Sequence, residues 1–151
     1  MRTVGDPLSA EKLLRFPVRL DGMDVGRAVD LILDPVQVRA LGLDVLCRDQ
    51  VHRFLPLAAA EVREDEIRLS SPFALVDHAS FDFYRGKASS LRAIKGRHVA
   101  RAGRDLGTIR DVVVSPAGEI SAFVVDSGEE GIAVAVEPDL SIDGDGRNGS
   151  G

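Results

Sequence analysis

The sequence predicts a mainly β protein: two tandem small β-barrels of about six short strands each, with a short helical turn before each repeat. Three observations carry this expectation. Residues 24 to 35 read DVGRAVDLILDP and residues 105 to 116 read DLGTIRDVVVSP, so one pattern is written twice at a constant offset of 81. Within each copy the side chains alternate with the period of two that marks a strand. Gly, Pro and Asp turns recur roughly every 8 to 12 residues, the spacing of short strands in a small barrel.

Under that offset Ser9/Ser90, Val18/Val99, Gly22/Gly103, Asp24/Asp105, Gly26/Gly107, Asp30/Asp111 and Pro35/Pro116 are identical. Average residue usage would give about two matches over such a window, so the chain reads as an internal duplication. With 151 residues, 44% of them hydrophobic, it can bury one full core or two small ones. Units of ~60 residues are individually marginal and are expected to lean on each other. No apolar run approaches the ~20 residues of a membrane helix, and MRTVGDPLSAEKLL lacks the core of a signal peptide, so a cytoplasmic protein is expected. Cys47, the one cysteine, has no partner for an internal disulfide and reads as a small buried side chain in LGLDVLC.

Taken in order, Asp6-Pro7-Leu8-Ser9 reads as a helix start, with Asp as cap and Pro at the first helical position, and a short helix runs to Leu14. Ser89 or Ser90 before LRAIK repeats the device, and Leu13 and Ile94 are its apolar anchors at matched places. A strand around Val18 or Val99 follows, then a turn at Gly22 or Gly103, then the duplicated strand. There Ala28, Asp30 and Ile32 alternate with Val29, Leu31 and Leu33; Ile109, Asp111 and Val113 alternate with Arg110, Val112 and Val114. Apolar residues on both sides imply cover on both faces near the strand's end. Ser115-Pro116-Ala117-Gly118 has the residues of a hairpin turn, whereas Asp34-Pro35-Val36-Gln37 lacks the Gly and is looser. Later strands are expected near Leu41 to Leu46, Phe54 to Ala58 and Ile67 to Leu69, and near Ser121 to Val125, Ile132 to Val136 and Leu140 to Ile142.

Between the copies, SPFALVDHASFDFYRGKASS holds Phe73, Phe81, Phe83 and Tyr84 and reads as a packed connection at the seam of the two units, with a partner-binding patch as the alternative. The tail DGDGRNGSG is polar and Gly-rich and reads as disordered. The resulting division is 9–77 for the first repeat, 78–89 for the connection, 90–143 for the second repeat and 144–151 for the tail.

The net charge of −5 conceals a segregation. Arg85 to Arg110 carries eight Lys/Arg against the single acid Asp105, and Asp111 to Gly146 carries nine acids and no base. Such blocks either neutralise each other or form faces of opposite potential. Arg85, Lys87, Arg92, Lys95, Arg97, Arg101 and Arg104 are therefore candidate partner-binding residues.

No catalytic, cofactor or metal residues are assigned. His52, His78 and His98 stand far apart with no His/Cys pair at zinc spacing. Asp143-Gly144-Asp145-Gly146 begins like a calcium loop but continues with Arg147 and has no later Glu. Phosphate-loop, dinucleotide and serine-elbow motifs are all missing. A duplicated catalytic Asp30/Asp111 would need a matched acid, base or metal partner in both copies. Local hydrogen bonding to turn N–H groups is the simpler role for both.

The run V-x-x-x-G-x-x-[VL]-G-x-[AVI]-x-D-[apolar]₃-[DS]-P, followed by an apolar strand and F-[LI]-P-[LI], resembles the PRC-barrel family. LLRFPVRLDGMDVGRAVDLILDP, LGLDVL and RFLPLAAAEV carry the likeness first, and AIKGRHVARAGRDLGTIRDVVVSP, SAFVV and GIAVAVEPDL carry it again. The second copy departs from it with Ile-Ala-Val-Ala where FLPL would stand. Gly22, Gly26, Asp30, Pro35, Gly103, Gly107, Asp111 and Pro116 then form a structural signature. The resemblance implies PRC-type barrels and a non-enzymatic docking or scaffold module for another protein, with no cofactor and a homodimer admissible. Two alternatives follow by analogy with family members: an RNA- or ribosome-associated factor using the basic segment 85–110, and a regulatory cytoplasmic unit beside a membrane protein.

Overall fold

The computed structural model describes residues 6–34, 37–77, 88–126, 131–138 and 140–142. Pro35, His78, Phe81, Phe83, Tyr84, Arg85, Lys87 and the expected tail lie outside the described residues. The chain is mainly β, with curled sheets forming a half-barrel. No described helix is long and apolar enough to cross a membrane.

The first copy opens with β1 (Leu8–Ser9) and α1 (Ala10–Leu13) and continues through β2 (Pro17–Leu20), β3 (Met23–Asp34), β4 (Arg39–Cys47), β5 (His52–Pro56), β6 (Ala60–Val62) and β7 (Ile67–Leu69). The second copy runs through β8 (Ser89–Ser90), α2 (Leu91–Ile94), β9 (His98–Arg101), β10 (Arg104–Val114), β11 (Ile120–Asp126), β12 (Gly131–Ala135) and β13 (Leu140–Ile142). One sheet has the order β5-β4-β3-β2-β7-β6 and the other β12-β11-β10-β9-β13. Among the described residues the ends of each path do not pair with one another, so both ladders stay open.

The opening segments are exchanged between the sheets. β1 pairs with β10, Leu8 opposite Val114 and Ser9 opposite Val113. β8 pairs with β3, Ser89 opposite Leu33 and Ser90 opposite Ile32. These two registers map onto each other residue for residue under the sequence offset, so the halves are related by a pseudo-two-fold exchange. One contiguous core follows from it, containing Leu8, Leu13, Leu31 and Leu33 together with Leu91, Ile94, Val112 and Val114. At ~25 cal/mol per Å² of apolar surface buried, such a shared core stabilises both halves where neither has enough residues for a large core of its own.

The first short helix begins later than expected, and the second begins at Ser90 as expected. Ser9 is the N-cap of α1, its Oγ accepting the Lys12 N–H at 3.1 Å, and Ser90 does the same for Ala93 at 3.1 Å. Asp6 and Pro7 lie upstream because Leu8 and Ser9 are taken into the ladder with β10. Leu13 and Ile94 are buried as the expected anchors.

β3 is covered on both faces near its end, as expected: Leu31 and Leu33 enter the main core while Ile32 packs with Phe54 in a second cluster on the other face. The ladder with β4 has a register shift between Ala28 and Asp30, matched by one between Ile109 and Asp111 in the ladder with β11. The extra residue of such a bulge re-aims the side chains beyond it.

The paired glycines have local reasons. Asp21 and Gly22 have φ +52° and +81°, and Ala102 and Gly103 have +51° and +83°, the two left-handed positions of a two-residue hairpin turn. Gly26 lies so close to β4 that an added Cβ would meet the Leu46 carbonyl oxygen at 2.7 Å. Gly107 has φ +131° beside a register shift between Asp105 and Gly107. The copies diverge later: β7 runs parallel to β2, whereas β13 runs antiparallel to β9. Pro56 ends β5 sooner than expected, and Leu57–Ala59 form a one-turn 3-10 helix.

Phe73 corrects the packed-connection expectation. It is 89% exposed, because the Ser71-capped 3-10 turn Pro72–Ala74 directs Ala74 to the core instead.

Candidate functional site

Asp30 and Asp111 are the only buried polar or charged side chains among the described residues. Each bonds within its own strand, Leu31 N–H to Asp30 Oδ1 at 2.9 Å and Val112 N–H to Asp111 Oδ1 at 2.8 Å. Each also reaches the other copy's helix: Arg92 N–H donates to Asp30 Oδ1 at 3.2 Å, and Glu11 N–H donates to Asp111 Oδ1 at 3.1 Å. A first-turn helix N–H has no intrahelical partner, so each carboxylate supplies one from across the molecule. Burial pushes the Asp111 carboxyl above its ordinary value, opposed by the Val112 and Glu11 N–H groups.

A cavity of about 220 Å³ opens beside Asp30, lined by Asp44, Ser89 and Ser90. Asp44 lies opposite Asp30 in the ladder and its Oδ1 is 2.8 Å from His52 Nδ1. The second copy places Val124 opposite Asp111. Among the described residues no group of three His, Cys, Asp or Glu is placed to hold a metal ion.

The basic segment does not act as a single unit. Arg92 and Lys95 are exposed at α2, which packs on β3. Arg97 is half-buried beside β10, where its carbonyl accepts the Ile109 N–H at 2.8 Å. Arg101 and Arg104 flank the β9–β10 hairpin. Arg101 Nη2 donates to the Ala135 carbonyl at 2.8 Å and lies 3.4 Å from Glu137 Oε1, and Arg110 lies 3.4 Å from Asp126. The acidic run thus meets part of the basic block inside the second copy.

A different basic site forms on the first copy. Arg19, Arg53, Arg63 and Arg68 pair with Glu66, Asp49, Glu61 and Glu66, and Arg39 Nη2 donates to the Ala117 carbonyl. The guanidinium groups of Arg15, Arg27 and Arg48 have no protein partner among the described residues, and all three line one cleft of about 610 Å³. Three elements bring them together: the turn after α1, the outward face of β3, and the β4–β5 turn. The last is held by Arg48 N–H to Val25 O at 3.1 Å and Gln50 N–H to Cys47 O at 2.9 Å. Asp24 is the single acid of the cleft, and its Oδ1 accepts the Gly26 N–H at 3.2 Å.

Asp24, Cys47 and Arg48 also line an adjoining pocket of about 660 Å³ whose other walls include Met23, Val25, Pro72 and Leu75. Met23 is 68% exposed. Cys47 is buried at the junction, as its apolar setting predicts. Arg15, Arg27 and Arg48 escaped notice in the sequence because they are far apart and interspersed with acids. Comparing the copies is the signal that finds two of them: Gly96 stands for Arg15 and Thr108 for Arg27. No protein-family model matches the chain, and no curated protein matches it.

Proposed function

We propose that the chain is a tandem PRC-barrel-type docking module that binds another protein without catalysing a reaction. The observation that carries this reading is the asymmetry between the copies. Their shared motif is engaged in the reciprocal Asp clasp, while on the first copy an arginine-lined cleft runs into an apolar pocket and the second copy has Gly96 and Thr108 at two of the matched arginine positions. Exposed Met23 beside that pocket, and exposed Phe73 next to its wall residue Pro72, are the kind of apolar surface that a partner covers.

An enzymatic reading would start from Asp30, Asp44 and His52. The cavity there is smaller than the ~300 to 1,000 Å³ usual for ligand sites, and Asp30 Oδ1 already accepts two N–H groups. Docking is the better account. Replacing Phe73 by a photoreactive benzoylphenylalanine in cells tests it: irradiation is expected to join the chain to one discrete protein. Recovery of only the uncrosslinked chain would refute docking at this face.

A further inference from the structure

We infer that the segment docking on the first copy is an acidic, extended peptide carrying a large apolar side chain, with its carboxylates over Arg15, Arg27 and Arg48 and the apolar side chain in the adjoining pocket. This rests on the docking reading above and names the partner's chemistry.

Three guanidinium groups without an ion pair around one concavity repel each other, whereas Arg19, Arg53, Arg63 and Arg68 of the same copy are each paired with an acid. A carboxylate relieves that repulsion with paired N–H···O bonds, the geometry that the planar guanidinium favours over a point charge. Pro17, Leu46 and Cys47 line the cleft beside the arginines. The rest of the molecule favours the same placement. At a net charge of −5 the chain as a whole does not attract an acidic segment, so a local cluster of cations such as this cleft is needed to hold one.

The apolar half completes the specificity. Met23, Val25, Pro72 and Leu75 offer burial to a Leu or Phe side chain, and the shared wall of Asp24, Cys47 and Arg48 sets the two halves side by side. A ligand with charge alone would use one half, and a purely apolar one the other. The second copy has Gly96 and Thr108 at the positions matched to Arg15 and Arg27, so the segment is placed on the first copy.

The test uses the full chain and two fluorescein-labelled peptides read by anisotropy. One alternates glutamate with leucine and phenylalanine; its counterpart has glutamine for every glutamate. The glutamate peptide is expected to bind at least about tenfold more tightly, and added salt is expected to weaken it. The triple variant Arg15→Glu, Arg27→Glu, Arg48→Glu is expected to lose that advantage. The milder triple Arg→Gln variant, checked for an unchanged melting temperature, should lose most of it. Equal binding of the two peptides, undiminished binding by both variants, or preference for phosphatidylserine vesicles over the glutamate peptide would each overturn the inference.

Crosslinking from position 73 separates this failure from that of docking. A partner captured equally by wild type and charge-reversed protein leaves docking standing and removes the acidic segment. No captured partner in the wild type removes both.

Discussion

The backbone N–H of Glu11 donates to Oδ1 of Asp111 at 3.1 Å across 100 residues of sequence, and Arg92 N–H repeats the bond to Asp30 at 3.2 Å across 62. Each copy's buried aspartate therefore caps the other copy's helix. The duplicated motif is half of a clasp whose other half lies in its twin.

Removing a clasp carboxylate strands two N–H groups at once. Asp30→Ala and Asp111→Ala are each expected to lower unfolding free energy by about 1–3 kcal/mol, because a buried donor left unpaired loses its hydration without compensation. Asp30→Asn and Asp111→Asn keep an acceptor and should cost less. Urea titration of the four variants checks the order, and Ala variants as stable as wild type would dismantle the clasp.

The pH dependence of stability should contain an Asp111 component. Burial raises its carboxyl above the ordinary 3.8, so the folded chain holds this proton more firmly than the unfolded one. That contribution is fully present below the ordinary value and is lost as pH rises through the raised value. Subtracting the stability curve of Asp111→Asn from that of wild type should leave a difference that falls with rising pH across this window. A flat difference would show that burial does not perturb the group.

Ala102 holds φ +51°, a left-handed conformation that favours Gly, Asn or Asp, and the matched position of the first copy is Asp21. Ala102→Asn or Ala102→Gly is expected to stabilise by about 0.5–1 kcal/mol by relieving this conformation. A lower melting temperature for both variants would contradict the turn geometry.

The two motif glycines should both resist enlargement, for different reasons. Gly26→Val drives a Cβ into the Leu46 carbonyl, and Gly107→Val forces a β-branched residue to φ +131°; each should cost roughly 1–3 kcal/mol. Thermal melts compare them, and an unchanged Gly107→Val would mean that this backbone geometry is not required.

The exchange of opening segments makes the halves interdependent. Separately produced fragments 1–77 and 78–151 are expected to co-purify when expressed together, because β1 and α1 belong to the second sheet and β8 and α2 to the first. Two fragments that each melt cooperatively as stable monomers would be incompatible with this exchange.

Much of the β architecture was legible in local patterns. The strands around Val18, Val99 and Ile67, the hairpin glycines and the anchors Leu13 and Ile94 all appear where periodicity and turn chemistry put them. The second helix starts at Ser90, as its sequence suggests, but the first starts at Ser9 and not at Asp6-Pro7, because a two-residue strand made by pairing with a distant chain segment has no local signature. Phe73 was misjudged because aromatic density says nothing about which way a capped turn directs each side chain.

The sequence by itself determined the duplication, the mainly β character, the two tight turns and the burial of Cys47, since each follows from short-range dihedral preference and periodic apolarity. Only the tertiary structure decided that the opening segments cross over, that Asp30 and Asp111 cap each other's copies, and that Arg15, Arg27 and Arg48 line one cleft with no ion pair among the described residues. Hydrogen bonds and ion pairs are satisfied in space, by partners as far as 100 residues away, and local spacing does not say which charges will find one.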